Sequence, residues 1–221
     1  MKTKIAALVA AAVLSSAPFA LARQGTAEAA PTNLVAQAES PAMTPAKRTA
    51  LLQEIAASME QVKTASGRFI QLAPDSSATS GTFALSRPGK VRFDYDAPSP
   101  LLIVSNGTTV AMQDSELETT DRVPLGSTPL ALLLNDKLDF GSETEIVDLS
   151  EHGDEVSVTL RDPEGEMDGT LTLNFSGPAH DLTGWRAEDS AGNITTVELR
   201  DVVTGKKLNP RLFIVKDFDD E

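Results

Sequence analysis

The 221-residue chain contains no cysteine, two histidines and few aromatic residues, which make up 5% of the whole. Without cysteine there is no disulfide framework, no thiol nucleophile and no zinc–thiolate site, so stability must come from burial. His152 and His180 stand beside Gly153 and Asp181 in polar turns, and read as solvated turn residues rather than as a base or a ligand. The His-Glu-x-x-His motif, the Gly-x-Ser-x-Gly elbow and the phosphate-binding glycine loop are all missing. Positive charge is scarce: 19 Lys and Arg stand against 32 Asp and Glu, a net charge of −13. That balance argues against a nucleic-acid partner and against stable docking on an anionic membrane. Otherwise it signals solubility rather than a particular partner.

Long apolar runs are also lacking. Ile5–Leu14 is too short to span a bilayer; with Lys2 and Lys4 before it and Ala20-Leu21-Ala22 after it, residues 1–22 read as a cleaved secretory signal peptide. No cysteine follows to receive a lipid. Residues 23–43, rich in Ala, Pro, Ser, Thr and Gln, read as a flexible leader. Residues 44–221 are long enough for one domain with a sizeable core.

Thr44-Pro45 opens that domain as a helix cap followed by proline at the first helical position. Leu52, Ile55, Met59 and Val62 recur at helical spacing to about Lys63, marking one apolar face. After Ala65 the period becomes two. Gly67–Leu72, Thr82–Leu85, Val91–Tyr95, Leu101–Ser105, Thr109–Gln113 and Glu116–Val123 read as short strands. Asn106-Gly107 marks a tight hairpin; the Asn-x-Thr it begins is read as that turn rather than as a glycosylation site. Thr128-Pro129 caps a short apolar helix, Leu130–Leu134, a candidate lid or an ordinary buried helix. Glu155–Arg161, Gly169–Phe175, Leu182–Glu188, Ile194–Leu199 and Leu212–Val215 complete the strands, with turns at Asp162-Pro163-Glu164-Gly165 and Ser176-Gly177-Pro178. The total of about ten or eleven strands predicts one antiparallel sheet curled strongly enough to enclose a space.

Candidate chemistry is thin. Asp94 and Asp96 flank Tyr95, and glycosidases use paired carboxylates, but alternation sets them opposite Phe93 and Tyr95 on an outer, solvated face. Asp217–Glu221 reads as a solvated tail. What remains is apolar: Phe69, Phe83, Leu85, Val91, Phe93, Leu102, Val104, Val110, Met112, Leu171, Leu173 and Trp185 from the strands, with Leu132 and Leu133 from the short helix. Most such residues are simply core, yet a curled sheet under a helical cover can leave room for a lipid. The same periodicity leaves Arg87 as a solvated turn residue beside Pro88-Gly89.

The order of motifs adds a further reading. "SGRFIQ", then "GTFALSRPGKVRFDYDAPSPLLIVSNGTTV", then "STPLALLL" resembles the periplasmic outer-membrane lipoprotein carrier family, LolA, from about Thr44 to Phe218. The resemblance implies an unclosed antiparallel β-barrel of about ten to eleven strands covered by an α-helical lid, enclosing a hydrophobic cavity. It implies a monomeric, non-enzymatic carrier without a cofactor, working in the periplasm of a Gram-negative bacterium. Acylated lipoproteins would come from an inner-membrane ABC-type exporter and pass to a lipidated outer-membrane receptor. Arg87 matches the family arginine that holds the lid closed through backbone carbonyls. Phe69, Phe83, Leu85, Val91, Phe93, Leu102, Val104, Met112, Leu132 and Leu133 are then expected to line the cavity. Val91 and Ala84 replace larger side chains of the family pattern, which implies a differently shaped lining. A relative carrying or sensing another lipid stays open, as does a periplasmic hydrolase using Asp or Glu.

Overall fold

A computed structural model describes residues 43–137, 140, 144–162 and 169–218. The signal peptide, nearly all of the leader, the Pro163–Gly165 turn and the last residues of the acidic tail lie outside the described residues. Helix α1 spans Pro45–Gln61, with proline in its first turn and the Thr44 hydroxyl accepting from the Lys47 amide. Its buried face is Leu51, Ile55 and Met59, each four residues on from the last; Leu52 and Val62 sit half-buried beside that line. The short helix α2, Leu130–Leu134, lacks the side-chain cap expected from Thr128, whose hydroxyl donates instead to the Leu125 carbonyl at 2.8 Å. None of the described helices is long and apolar enough to cross a membrane.

The strands are β1 Thr64–Leu72, β2 Ala78–Ser86, β3 Lys90–Tyr95, β4 Leu101–Asn106, β5 Thr109–Asp114, β6 Thr119–Pro124, β7 Glu145–His152, β8 Glu155–Arg161, β9 Thr170–Ser176, β10 Asp181–Glu188 and β11 Ile194–Thr204. They form one antiparallel sheet in the order β6-β5-β4-β3-β2-β1-β11-β10-β9-β8-β7. Strands that pair are consecutive in sequence, except β1 with β11. β6 and β7 form the two edges, so the barrel is unclosed. Short connections favour this arrangement, because antiparallel neighbours need only turns. At Asn106-Gly107, the Asn106 side-chain oxygen takes the amides of Thr108 and Thr109, and Gly107 supplies the positive φ of +111°.

Three strand expectations change. β7 carries weak alternation among Glu145, Asp148 and Glu151 and was not anticipated. The sixth strand begins at Thr119 because Ser115–Glu118 makes a turn anchored by Asp114, whose carboxylate accepts the amides of Glu116 and Leu117. Leu212–Val215 is not a strand: Pro210–Phe213 forms a 3₁₀ turn capped by Asn209, and the chain beyond it lies across the outside of β3 to β5.

Register separates the two faces of the sheet. Phe83 stands opposite Phe93, and Phe93 opposite Ile103. Val197 stands opposite Trp185, Trp185 opposite Leu173, and Leu173 opposite Val158. These residues form the inner face and pack with α1 and α2 into the main core. On the outer face Val104 and Ala111, opposite each other on β4 and β5, and Phe213 of the 3₁₀ turn that packs on β3 and β4 are each almost fully buried yet outside that core. The C-terminal segment is tied there by Arg92 to the Leu212 carbonyl (3.3 Å), Gln113 to the Lys216 carbonyl (2.8 Å) and Arg122 to Asp217 (2.6 Å). Asp217 is therefore held in an ion pair rather than free in a solvated tail.

Candidate functional site: the β2–β3 turn and the cavity beneath α1

Arg87 ends the hairpin arm of β2, and its guanidinium is buried. Nε and Nη2 donate to the Leu133 carbonyl at 3.2 and 3.0 Å. Nη1 donates to the carbonyls of Met59 and, at 3.1 Å, Val62. These acceptors lie at the C-terminal ends of both helices, where carbonyls have no partner within the helix and carry partial negative charge. A planar five-donor group suits this convergence, because it can bond several carbonyls from one position. Burial pulls the guanidinium below its ordinary pKa, while the nearby Asp136 carboxylate opposes that shift.

The backbone of the same turn adds to the attachment. The Arg87 amide donates to the Lys63 carbonyl at 2.8 Å, and the Gly89 amide to the Leu134 carbonyl at 2.9 Å. The fully buried Ser105 hydroxyl donates to the Gly89 carbonyl at 2.6 Å. Gly89 has φ +74°, and an added Cβ would come within 2.7 Å of the Gly107 Cα, so both conformation and space require glycine here. Lys63 and Asp136, 3.4 Å apart, join the two helix ends at the surface.

Beside this junction lies a cavity of about 400 Å³. Its roof is Ser58, Met59 and Val62 of α1 and the segment after it; its walls are Ala65, Phe83 and Leu85 on one side, and Leu182, Leu199, Val202 and Thr204 on the other. Arg87 is part of the lining. Polar Asp181 and Thr183 stand on its rim, so the space is a mostly apolar pocket with a few polar groups.

The anticipated lining residues divide into four groups. Phe83 and Leu85 border the cavity. Phe69, Val91 and Phe93 are buried in the packed interior, with Phe69 and Phe93 edge-to-face at 5.3 Å. Leu133 is buried in the same core, while Met112 and Leu132 are half-buried against it. Leu102 and Val104 face the other way. Leu102 stands opposite Asp94 and Val104 opposite Arg92, which places both on the outer face; Ile103 takes the inward position. Ala84 also pairs with Arg92 on the outer face, so its small size leaves the lining unchanged.

Of the polar candidates, Asp94 is held by Arg92 through two 2.6 Å bonds, and Asp96 accepts from Arg68 at 2.5 Å and Ser80 at 2.6 Å. The Ser80 and Arg68 bonds lower the Asp96 pKa. His180 is not a solvated turn residue. It sits at φ +50°, its side chain is 17% exposed, Nε2 lies 3.3 Å from Glu54 of α1, and its carbonyl accepts from Ser58 at 3.2 Å. Among the described residues no group of three or more His, Asp or Glu is placed to hold a metal. Sequence reading missed the roof and the β10–β11 wall; the exposed end of β11 carries no alternation that would have pointed to it.

The family model described as Outer membrane lipoprotein carrier protein LolA matches residues 60–216. The outer-membrane lipoprotein carrier protein of Pseudomonas aeruginosa (strain UCBPP-PA14) is 31% identical over 176 residues, covering 75% of this chain and 83% of the relative. That of Azotobacter vinelandii is 32% identical over 172 residues, covering 73% and 79%. Among solved structures, a LolA superfamily protein from Nitrosomonas europaea aligns with a TM-score of 0.43 and 12% identity, covering 75% of this chain and 98% of that one. With its domain matched from the end of α1 to the segment that crosses the outer face, the chain belongs to the outer-membrane lipoprotein carrier family, LolA.

Proposed function

We propose that the protein is a periplasmic carrier. It shields the acyl chains of lipoproteins taken from an inner-membrane exporter and delivers them to a receptor at the outer membrane. The observation that carries this reading is the mostly apolar cavity beneath α1, lined in part by an arginine that bonds both covering helices. Exposing an acyl chain to water costs about 0.8 kcal/mol per CH₂, so one long chain amounts to roughly 10 kcal/mol. A shuttle must offset most of that cost and still let go. A volume of about 400 Å³ lies at the small end of ligand pockets, so a larger load requires α1 and α2 to move apart.

Arg87 then acts as the latch: its bonds to Leu133, Met59 and Val62 hold the helices down, and loading trades them for cargo contacts. The test uses a triacylated lipopeptide and receptor-bearing liposomes. The unsubstituted protein is expected to take up the lipopeptide and transfer it, whereas Arg87→Leu takes it up and fails to transfer. Transfer by Arg87→Leu at the unsubstituted rate would refute the latch. Failure of the unsubstituted protein to bind any acylated peptide would refute the carrier reading itself.

A further inference from the structure

The net charge of −13 conceals a local reversal at the end of β11. Residues 201–207 are exposed one after another, among them Val202 and Val203 at 42% and 40%. Lys206 and Lys207 follow at once and Arg211 four residues later, all exposed, with no ion pair to any described residue. Ile214, 60% exposed, stands just past Arg211, its amide on the Arg211 carbonyl. The patch also borders the cavity, since Val202 and Thr204 line it. The nearby acids do not outweigh this charge: Glu198 is paired with Arg200 at 2.6 Å, which leaves Asp201 and, across the cavity, Asp181 against three cations.

We infer that this corner rests on the anionic headgroups of a phospholipid surface, with Lys206, Lys207 and Arg211 against phosphates and the two valines at the headgroup level. Basic residues near such a surface each contribute measurably to attachment, and apolar side chains among them add burial. The distant carboxylates matter less, because at physiological salt charges are screened beyond about 8 Å. Val202 and Val203 are consecutive on a strand, so their side chains leave on opposite faces. A flat protein surface covers one face of such a ribbon; a fluid interface wets both. The inference places the mouth of the cavity at the lipid surface, and it rests on the carrier reading only for its purpose.

The test uses cargo-free protein, so its failure leaves the cavity reading standing. Co-sedimentation is measured with vesicles of equal parts phosphatidylcholine and phosphatidylglycerol, and with pure phosphatidylcholine. Binding is expected on the anionic vesicles alone, weakening with salt. Lys206→Glu/Lys207→Glu is expected to weaken it roughly tenfold or more, given the per-residue contribution of basic side chains. Lys47→Glu/Arg48→Glu carries the same charge change in the first turn of α1, at the far end of that helix from Lys63 and the end of β11, and is expected to bind nearly as well as the parent. A Val203→Trp variant is expected to shift its emission to the blue on anionic vesicles. Equal binding by both charge variants, or no preference for anionic vesicles, would overturn the inference. So would retention on a polyglutamate matrix without vesicle binding, which would assign the patch to an acidic protein segment instead.

Discussion

The rings of Phe93 on β3 and Trp185 on β10 meet edge-on with centroids 6.0 Å apart, although three strands separate them in the sheet. Four strand spacings laid flat would put their backbones about 19 Å apart. The contact therefore measures the curl directly. It also shows where the interior is full: Phe69, Phe83 and Phe93 stack around the same point, with Tyr95 against Phe69 at 5.0 Å. Open volume is left to one side, under the C-terminal half of α1.

Truncating the centre of this cluster is the first prediction. Phe93→Ala removes a buried ring that touches Phe69, Phe83 and Trp185, and is expected to cost about 3–5 kcal/mol in urea unfolding. Trp185 is the single tryptophan, so its emission reports the local change without interference. A red shift in the folded variant is expected as the new space admits water.

The close approach at Gly81 sets the second prediction. A Cβ there would lie 2.1 Å from the Asp94 carbonyl and 2.7 Å from the Phe69 ring. Neither the paired strand nor the locked ring can yield cheaply. Gly81→Ala is expected to lower stability by about 3 kcal/mol, read as a fall in the denaturant midpoint at unchanged slope. Gly153→Ala, at a turn where nothing stands within 4 Å, is expected to cost much less, its φ of +63° being the remaining penalty.

Tyr95 gives a prediction in pH. Burial pushes its hydroxyl up to about 12, and the hydroxyl donates to the Gln71 side-chain oxygen at 2.8 Å, a bond that only the neutral phenol can make. A raised folded-state value means that the neutral phenol is the form the fold favours. Its contribution is fully present below the unfolded value near 10 and is lost as pH rises toward 12. The chain has one tyrosine, so phenolate absorbance follows this group alone. The native protein is expected to titrate near 12 and the urea-unfolded chain near 10. Tyr95→Phe is expected to flatten the loss of stability over that interval.

The sheet was readable from sequence wherever one face is wet. β2 and β3 alternate cleanly, and the inward positions of Phe83, Leu85, Val91 and Phe93 follow from that alternation. β4 defeats the same logic, because Leu101, Leu102, Ile103 and Val104 are all apolar. Its outer face is covered by the C-terminal segment, so no polar residue marks the outside, and a slip of one residue exchanges Val104 for Ile103. The covering segment also reads as a strand in sequence, since the apolar run Leu212–Val215 looks alike whether it pairs edge to edge or, as here, lies on a sheet through a 3₁₀ turn. Arg87 was beyond periodicity altogether. Its partners are carbonyls of Met59, Val62 and Leu133, and backbone acceptors leave no trace in residue type; the family resemblance supplied it.

Phe213 shows what that covering segment contributes. It is almost fully buried on the outer side of β3 and β4, apart from the main core. Phe213→Ala is expected to cost about 3 kcal/mol and to raise hydrogen exchange locally, at Leu212 to Asp217, more than at α1.

The last prediction concerns geometry rather than charge at the latch. Arg87→Lys keeps a cation, but an ammonium is a compact point donor on a flexible stem, whereas the guanidinium spans acceptors on two helices. Lysine can approach the Leu133 carbonyl or those of Met59 and Val62; the Met59 carbonyl keeps the Val62 amide at 3.3 Å, so it is the Leu133 carbonyl that a lysine turned toward α1 leaves without a side-chain donor. Each unmet buried carbonyl costs about 1–3 kcal/mol, so the helix left unbonded should loosen. α2 is the weaker of the two: it has five residues, and its remaining tie to the turn is the Gly89 amide on Leu134. Arg87→Lys is therefore expected to speed hydrogen exchange in residues 130–135 while exchange in the middle of α1 stays near that of the parent. Arg87→Leu, which removes the donors to both helices, is expected to raise exchange at α2 and at the end of α1 together. Equal protection of α2 in the parent and in Arg87→Lys would mean that the helix is held by packing, and that the arginine's fork is not what closes it.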